Sequence, residues 1–334
     1  MNSKKIILVL VLSLVMVLGI SMSVAAKKAP AEPSPVMIAS GLQGASGSTI
    51  GPDGALYVTE GAVGVVSRID PQTGVITEFA SGLPEWVIPL GGAIDVAFLD
   101  NTAYVLVTLT NDPLLGGGDP AGIYRVDSPD SVTLIADIAQ FSTDFPPDAD
   151  IFLETGVQYA LETFRGGFLV TDGHHNRVLR VTLDGEVTEM IAFDNIVPTG
   201  LEVHGNTVYM TEAGPNPHLP ENGKVVSFGP KSPNPTEVAS GAPLLVDVEY
   251  GLGRTLYALS QGDFEEGQGD GSPAMENTGS LVEVNEDGTF TVIVSGLDRP
   301  TSLEFIGNTA YVVTLTGEVW VIDNVSNPPF GESQ

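Results

Sequence analysis

Three acids stand at one point of a repeated pattern: Glu60 in "LYVTEG", Asp172 in "FLVTDG" and Glu212 in "VYMTEA". Carboxylates at matching positions of a ring could bind a polar ligand, or hold a hard cation such as calcium through oxygen ligands. Each could instead accept backbone N–H bonds in its own loop, an ordinary turn role. A second set aligns earlier in the same pattern, reading Gly47, Asp95, Gly156, Gly200, Asp247 and Ser302. Asp95 and Asp247 fall in the second and fifth of six units, opposite each other if the units form a ring. They could frame a metal ion, or serve as buried acids hydrogen-bonded between units.

The four histidines are His174, His175, His204 and His218. The adjacent pair in "TDGHHNRVLRV" lacks a third ligand at metal-site spacing, so turn residues are the better reading. There is no cysteine nucleophile, no G-x-S-x-G elbow, no glycine-rich phosphate loop and no H-E-x-x-H. No complete catalytic constellation is legible.

The elements that position these residues come from internal repetition. "PTGLEVHGNTVYMTE" and "PTSLEFIGNTAYVVT" align without a gap from Pro198 and Pro300. Gly-Asn between alternating apolar residues marks a tight hairpin turn. The same hairpin recurs at anchor residues Tyr57, Tyr104, Leu169, Tyr209, Tyr257 and Tyr311. A second hairpin follows each of the first five, giving four short strands per ~50 residues, which marks a β-propeller blade. The sixth unit lacks a fourth strand, because "NVSNPPF" is broken by proline. The missing strand is "PVMIASGL" near the front, so residues 36–40 are expected beside residues 319–323. The expected fold is an all-β, six-bladed propeller with four antiparallel strands per blade, its last blade closed by an N-terminal strand.

The connections fall into two classes. Strands one and two, and three and four, are joined by tight turns. Length gathers in the other class, at residues 110–122, 141–155, 213–223 and 260–279. Long loops on a rigid scaffold usually carry binding, so the functional face is expected at that mouth of the central channel.

Lys4 and Lys5 precede an apolar run over residues 6–20, followed by small residues up to Ala26. That layout predicts a secretory signal peptide over residues 1–26, cleaved near Ala26. The run is shorter than the roughly 20 residues that span a bilayer. Residues 27–35 read as a flexible linker, 36–324 as the propeller and 325–334 as a tail. A secreted or periplasmic product is expected, with no membrane insertion after cleavage. With no cysteine, stability must come from packing. The chain holds 13 basic against 42 acidic residues, a net charge of −29. A field of that sign repels phosphate backbones and anionic lipid, arguing against nucleic-acid partners.

"GPDGALYVTEG", "VTDGHHNRVLRVTLDG", "VPTGLEV" and "SGLDRPTSLEF" resemble bacterial NHL-type propellers, and residues 36–323 as a whole resemble the ScyD/ScyE family. The resemblance implies an exported six-bladed propeller whose relatives include members of the pathway for an extracellular sunscreen pigment. Gluconolactonase/regucalcin-like propellers use a glutamate, asparagine and aspartate metal set, which Asp95 and Asp247 mimic in part, without a clear counterpart of the asparagine. Sugar dehydrogenases using pyrroloquinoline quinone share "PDG-x-L-x-VTE", but their histidine- and arginine-rich site has no counterpart here. The expectation is a monomeric binding or scaffold protein that takes a small molecule, glycan or protein on its long-loop face. The alternative is a metal-dependent hydrolase or lactonase using Asp95 and Asp247 with one or more of the three rim acids.

Overall fold

The computed structural model describes residues 33–149, 151–230, 234–265, 267–269 and 271–326. The expected signal peptide, most of the linker and residues 327–334 lie outside the described residues. Twenty-four strands form six sheets of four, each antiparallel and, apart from the closing strand, in chain order. The innermost strands are Ala45–Ile50, Gly92–Leu99, Gln158–Phe164, Pro198–His204, Leu245–Tyr250 and Pro300–Ile306. Each packs against the innermost strand of the next blade, and Pro300–Ile306 packs back on Ala45–Ile50, which closes the ring. This is the six-bladed propeller that the repeats require.

Closure uses the strand borrowed from the front of the chain. Pro35–Ser40 pairs antiparallel with Glu318–Ile322, in the register Val36 to Val321 and Ser40 to Glu318. Sealing the last blade with an early segment leaves no unpaired edge at the seam. On the other side of the seam, Val325 is fully buried in the cluster between blades 5 and 6.

A single blade has two apolar faces and cannot bury either alone. Six hydrophobic clusters result, one at each junction between blades. At the junction of blades 2 and 3, Tyr104, Leu106 and Ile123 meet Phe168, Val170 and Leu179. Burying each such side chain contributes about 1.5–3 kcal/mol. The anchor residues sit at these junctions. Tyr57, for example, meets Phe79 and Phe98 edge-on, with ring centroids 4.8 Å away in both cases.

The tight turns behave as their sequence requires. Gly205 and Gly307 adopt φ of 66° and 63°, a region open to glycine, while Asn206 and Asn308 stay at negative φ. One connection departs from expectation. Residues 141–155 do not form a plain loop, because the helix Ile138–Asp144 runs into their first part. Asp137 caps it by accepting the Gln140 N–H at 2.8 Å.

Candidate functional site

The innermost strand of every blade starts at the long-loop face and runs down the channel. Early in each strand the ladder with the second strand slips by a bulge. Two solutions satisfy the slipped backbone. In blades 1, 3 and 4 a second-strand threonine supplies an acceptor: Thr59 to Gly47 N–H, Thr171 to Ala160 N–H, and Thr211 to Gly200 N–H. In blades 2 and 5 the second strand carries Leu106 and Leu259 there, and the bulged residue is itself an aspartate, Asp95 or Asp247. This geometry corrects the sequence alignment in blade 3. Ala160, and not Gly156, occupies the position of Asp95, since Gly156 precedes the strand.

Asp95 and Asp247 play one structural role twice. Asp95 accepts Val96 N–H at 2.8 Å and, from the next blade, Leu161 N–H at 2.7 Å. Asp247 accepts Val248 N–H at 2.9 Å and Leu303 N–H of the next blade at 2.7 Å. Both are staples between adjacent inner strands, the second of the two roles open to them in the sequence. Gly47 and Gly200 make room for them. A Cβ on Gly47 would lie 2.2 Å from Asp95 Oδ1, and one on Gly200 would lie 2.5 Å from Asp247 Cα. Burial pushes Asp95 well above the usual carboxylate range and Asp247 up to about 7, against the lowering effect of their N–H donors.

The metal set foreseen at Asp95 and Asp247 is not assembled. Both oxygens of each already accept backbone N–H bonds. Among the described residues, no three His, Asp or Glu side chains are grouped so as to hold one metal ion. A calcium site needs roughly six to eight converging oxygens. These residues do not fit one.

Two of the three rim acids, Glu60 and Asp172, are likewise occupied by donors. Glu60 accepts Gln43 N–H at 2.6 Å and the Ser67 hydroxyl at 2.5 Å. Asp172 is fully buried and accepts Val157 N–H and the Arg177 guanidinium, each near its carboxylate at 3.2 and 3.1 Å. Arg177 in turn donates to Phe145 O and Ser142 Oγ, pinning the helix Ile138–Asp144 and the segment after it. His175 Nε2 lies 3.0 Å from Leu153 O, and its Nδ1 lies 3.1 Å from both Arg177 Nη2 and Asp172 Oδ2. His174 Nε2 accepts the N–H groups of Phe152 and Leu153. The histidine pair thus organises a loop, as its spacing implied. Glu212 lies beside Lys224, whose ammonium is engaged by Glu237 at 2.7 Å, and burial raises Glu212 to about 7. None of Glu60, Asp172 or Glu212 lines the central cavity.

That cavity is the channel and its long-loop mouth, about 1400 Å³ in volume. Its mouth is walled by connections of the long class, with Trp86, Leu115, Phe152, Phe193 and Pro273 among the apolar contributors. Several large apolar side chains on that face are exposed, including Leu114 at 66% and Phe152 at 54%. Its floor carries Glu162, Glu249 and Glu304, and Glu202 stands within hydrogen-bonding reach of Glu249. These four glutamates occupy one position in blades 3 to 6, each opposite an anchor residue: Leu169, Tyr209, Tyr257 and Tyr311. Blades 1 and 2 have Thr49 and Ala97 there. They sit two residues beyond the staple position, roughly 7 Å further down the channel.

The four glutamates are half-buried, and Glu162, Glu249 and Glu304 line the channel. Burial is the main cause of their raised pKa values, with repulsion from neighbouring acids adding to it for Glu162, Glu249 and Glu304. Glu162 is pushed to about 8 and Glu202 to about 7, while Glu249 and Glu304 lie well above the ordinary range. Sequence reasoning passed over this set. The signal was present as Leu161-Glu162, Leu201-Glu202, Val248-Glu249 and Leu303-Glu304, all at one distance from the anchor. Alternation of this kind ordinarily reads as one solvated face of a strand.

No protein-family model matches the sequence, and no curated protein sequence does. Solved structures do resemble it in fold. A gluconolactonase from Xanthomonas campestris shares 12% identity at a TM-score of 0.60, covering 87% of this chain and 89% of that one. Virginiamycin B lyase from Staphylococcus aureus shares 14% identity at a TM-score of 0.53, covering 87% of this chain and 99% of its own. The aldose sugar dehydrogenase of Streptomyces coelicolor, in its pyrroloquinoline-quinone-bound form, shares 15% identity at a TM-score of 0.57 over 88% and 99% of the two chains. That quinone is a tricarboxylate, and no lysine or arginine among the described residues lines the cavity here. An acidic floor without a cation does not fit such an anion. At these identities the likeness shows a shared propeller fold and nothing of shared chemistry.

Proposed function

We propose that the protein is an exported binding protein of the ScyD/ScyE type that takes a small molecule into its channel from the long-loop face. The single observation that carries this reading is the cavity of about 1400 Å³, with apolar mouth and polar floor. Ligand sites are typically concave, mostly apolar, and fitted with a few polar groups that fix orientation. The apolar segment at residues 6–20, with its lysines and small-residue boundary, supports export. Among the described residues no helix is long and apolar enough to cross a membrane. A glycan or protein docked over the same mouth is the larger version of this proposal, and a monomer suffices for it.

The test is equilibrium binding of N-phenyl-1-naphthylamine, a neutral probe whose emission rises in apolar surroundings. The expected result is saturable binding, weakened by about tenfold in the Trp86→Ala/Phe152→Ala variant, the loss of roughly 1.4 kcal/mol. Absence of saturable binding, or binding indifferent to both substitutions, would overturn the assignment.

The competing reading is a metal-dependent lactonase, which the gluconolactonase-like fold supports. The residues argue against it, since the aspartates it requires are staples between blades. Calcium, manganese or zinc should leave the melting temperature unchanged, and gluconolactone hydrolysis should not exceed the background rate. A metal-induced rise abolished by Asp95→Ala would restore the enzyme.

A further inference from the structure

We infer that the channel floor recognises an organic cation, a protonated amine attached to an apolar body, and this deepens the channel-binding proposal and rests on it. Three observations meet at one place. The floor presents the carboxyls of Glu162, Glu249 and Glu304 to the cavity. Among the described residues, no donor hydrogen-bonds the Glu304 carboxyl, and Glu249 has only the carboxyl of Glu202 within reach. No lysine or arginine among them lines the cavity, whose other acidic and histidine lining groups are His174, His175, His218, Asp148, Glu189 and Asp194 beside the staple aspartates.

Four other enclosed carboxyls are satisfied by donors, while the buried Glu212 has Lys224 opposite it across the ladder. Asp172 has Arg177 and a backbone amide, Glu60 has an amide and a hydroxyl, and Asp95 and Asp247 have two amides each. The floor carboxyls are half-buried and open to the channel, so the partner they lack among protein groups is one that the channel can admit. The missing partner must donate hydrogen bonds and carry positive charge. A bare metal ion does not fill the role, because among the described residues no three acidic or histidine side chains are grouped to ligate one. An ammonium needs only one or two carboxylates, since its N–H donors are directional and its remaining contacts are apolar. The depth of the floor beneath Trp86 and Phe152 sets the apolar body in the mouth and the charged end below.

Entry of a cation favours the ionised carboxylates, so it must release protons from a floor whose carboxyls burial holds above the usual range, Glu162 at about 8 and Glu202 at about 7. Binding should therefore tighten as pH rises from about 6 to 8, for as long as the amine stays charged.

The experiment is displacement of bound N-phenyl-1-naphthylamine by three ligands of equal length: n-octylamine, n-octanol and n-octanoate. It uses the mature parent protein, Glu304→Gln and Glu249→Gln/Glu304→Gln. In the parent the amine is expected to displace the probe at a concentration at least about tenfold lower than the alcohol, and octanoate least well. In the double variant the amine and alcohol should become equal. Equal displacement by amine and alcohol in the parent would overturn the inference while leaving the channel site standing. No saturable probe binding at all would instead overturn the channel site. Calcium that displaces the probe through the same glutamates, with no preference for the amine, would replace the organic cation by an inorganic one. Thermal melting of each variant at pH 6 guards against misfolding, and the single Glu304→Gln variant carries the test if the double variant fails to fold.

Discussion

The acids at the ends of the second strands and those along the innermost strands share a residue type and differ in everything else. Glu60 and Asp172 are enclosed by donors from their own blade, and Asp172 sits in a fully buried network with Arg177 and His175. Glu162, Glu249 and Glu304 are half-buried and open onto the channel, where Glu162 accepts the Thr163 hydroxyl and Glu304 has no donor among the described residues. The difference teaches how to sort acids in a closed ring. A carboxylate answered by local donors is architecture, whereas one answered only by other carboxylates awaits a partner.

The largest effect should come from breaking the satisfied set. Arg177→Ala leaves Asp172 buried without its cation and frees the helix Ile138–Asp144. The expected loss is about 3–5 kcal/mol in urea unfolding. A loss below ~1 kcal/mol would mean that solvent reaches Asp172. Gly200→Ala comes next, because its Cβ would fall 2.5 Å from the backbone of Asp247. Overpacking of that kind costs roughly 1–3 kcal/mol, and unfolding midpoints should show it. The staples are smaller. Asp95→Ala removes two accepted N–H bonds and should cost about 1–2 kcal/mol, with Asp95→Asn recovering part of it. Equal stability of Asp95→Ala and the parent would remove the staple role.

Much of this architecture was legible because repetition reports it several times over. Gly205-Asn206 and Gly307-Asn308 mark the same turn, and the orphan strand at residues 36–40 foretold its pairing with Glu318–Ile322. The long-loop connections wall the cavity mouth that their lengths marked out. The site itself was half hidden. Alignment located the staple aspartates but could not tell a ligand from a hydrogen-bond acceptor, because that depends on Leu161 and Leu303 of neighbouring blades. The register slip in blade 3 concealed Ala160, since a bulge adds a residue without a compositional mark. The floor glutamates were readable as letters, but nothing in strand alternation alone marks them as channel-facing. In a ring the innermost strand has no solvated face except the channel.

The comparison between the two sets of acids is tested most directly by stability as a function of pH. The floor glutamates have folded-state pKa values raised by burial, so each proton lost between the unfolded value near 4.5 and the folded one weakens the fold. Their penalty is absent below about pH 4.5 and grows as pH rises, through about 7 for Glu202 and about 8 for Glu162. Chemical unfolding of the parent and of Glu249→Gln/Glu304→Gln, measured from pH 5 to pH 8, separates the cases. The account expects the parent to lose at least about 1.4 kcal/mol on going up in pH, one unit of net shift after allowance for channel water, and the variant to lose clearly less. Parallel curves for the two proteins would contradict it, because the floor would then be as well answered as Glu60 and Asp172.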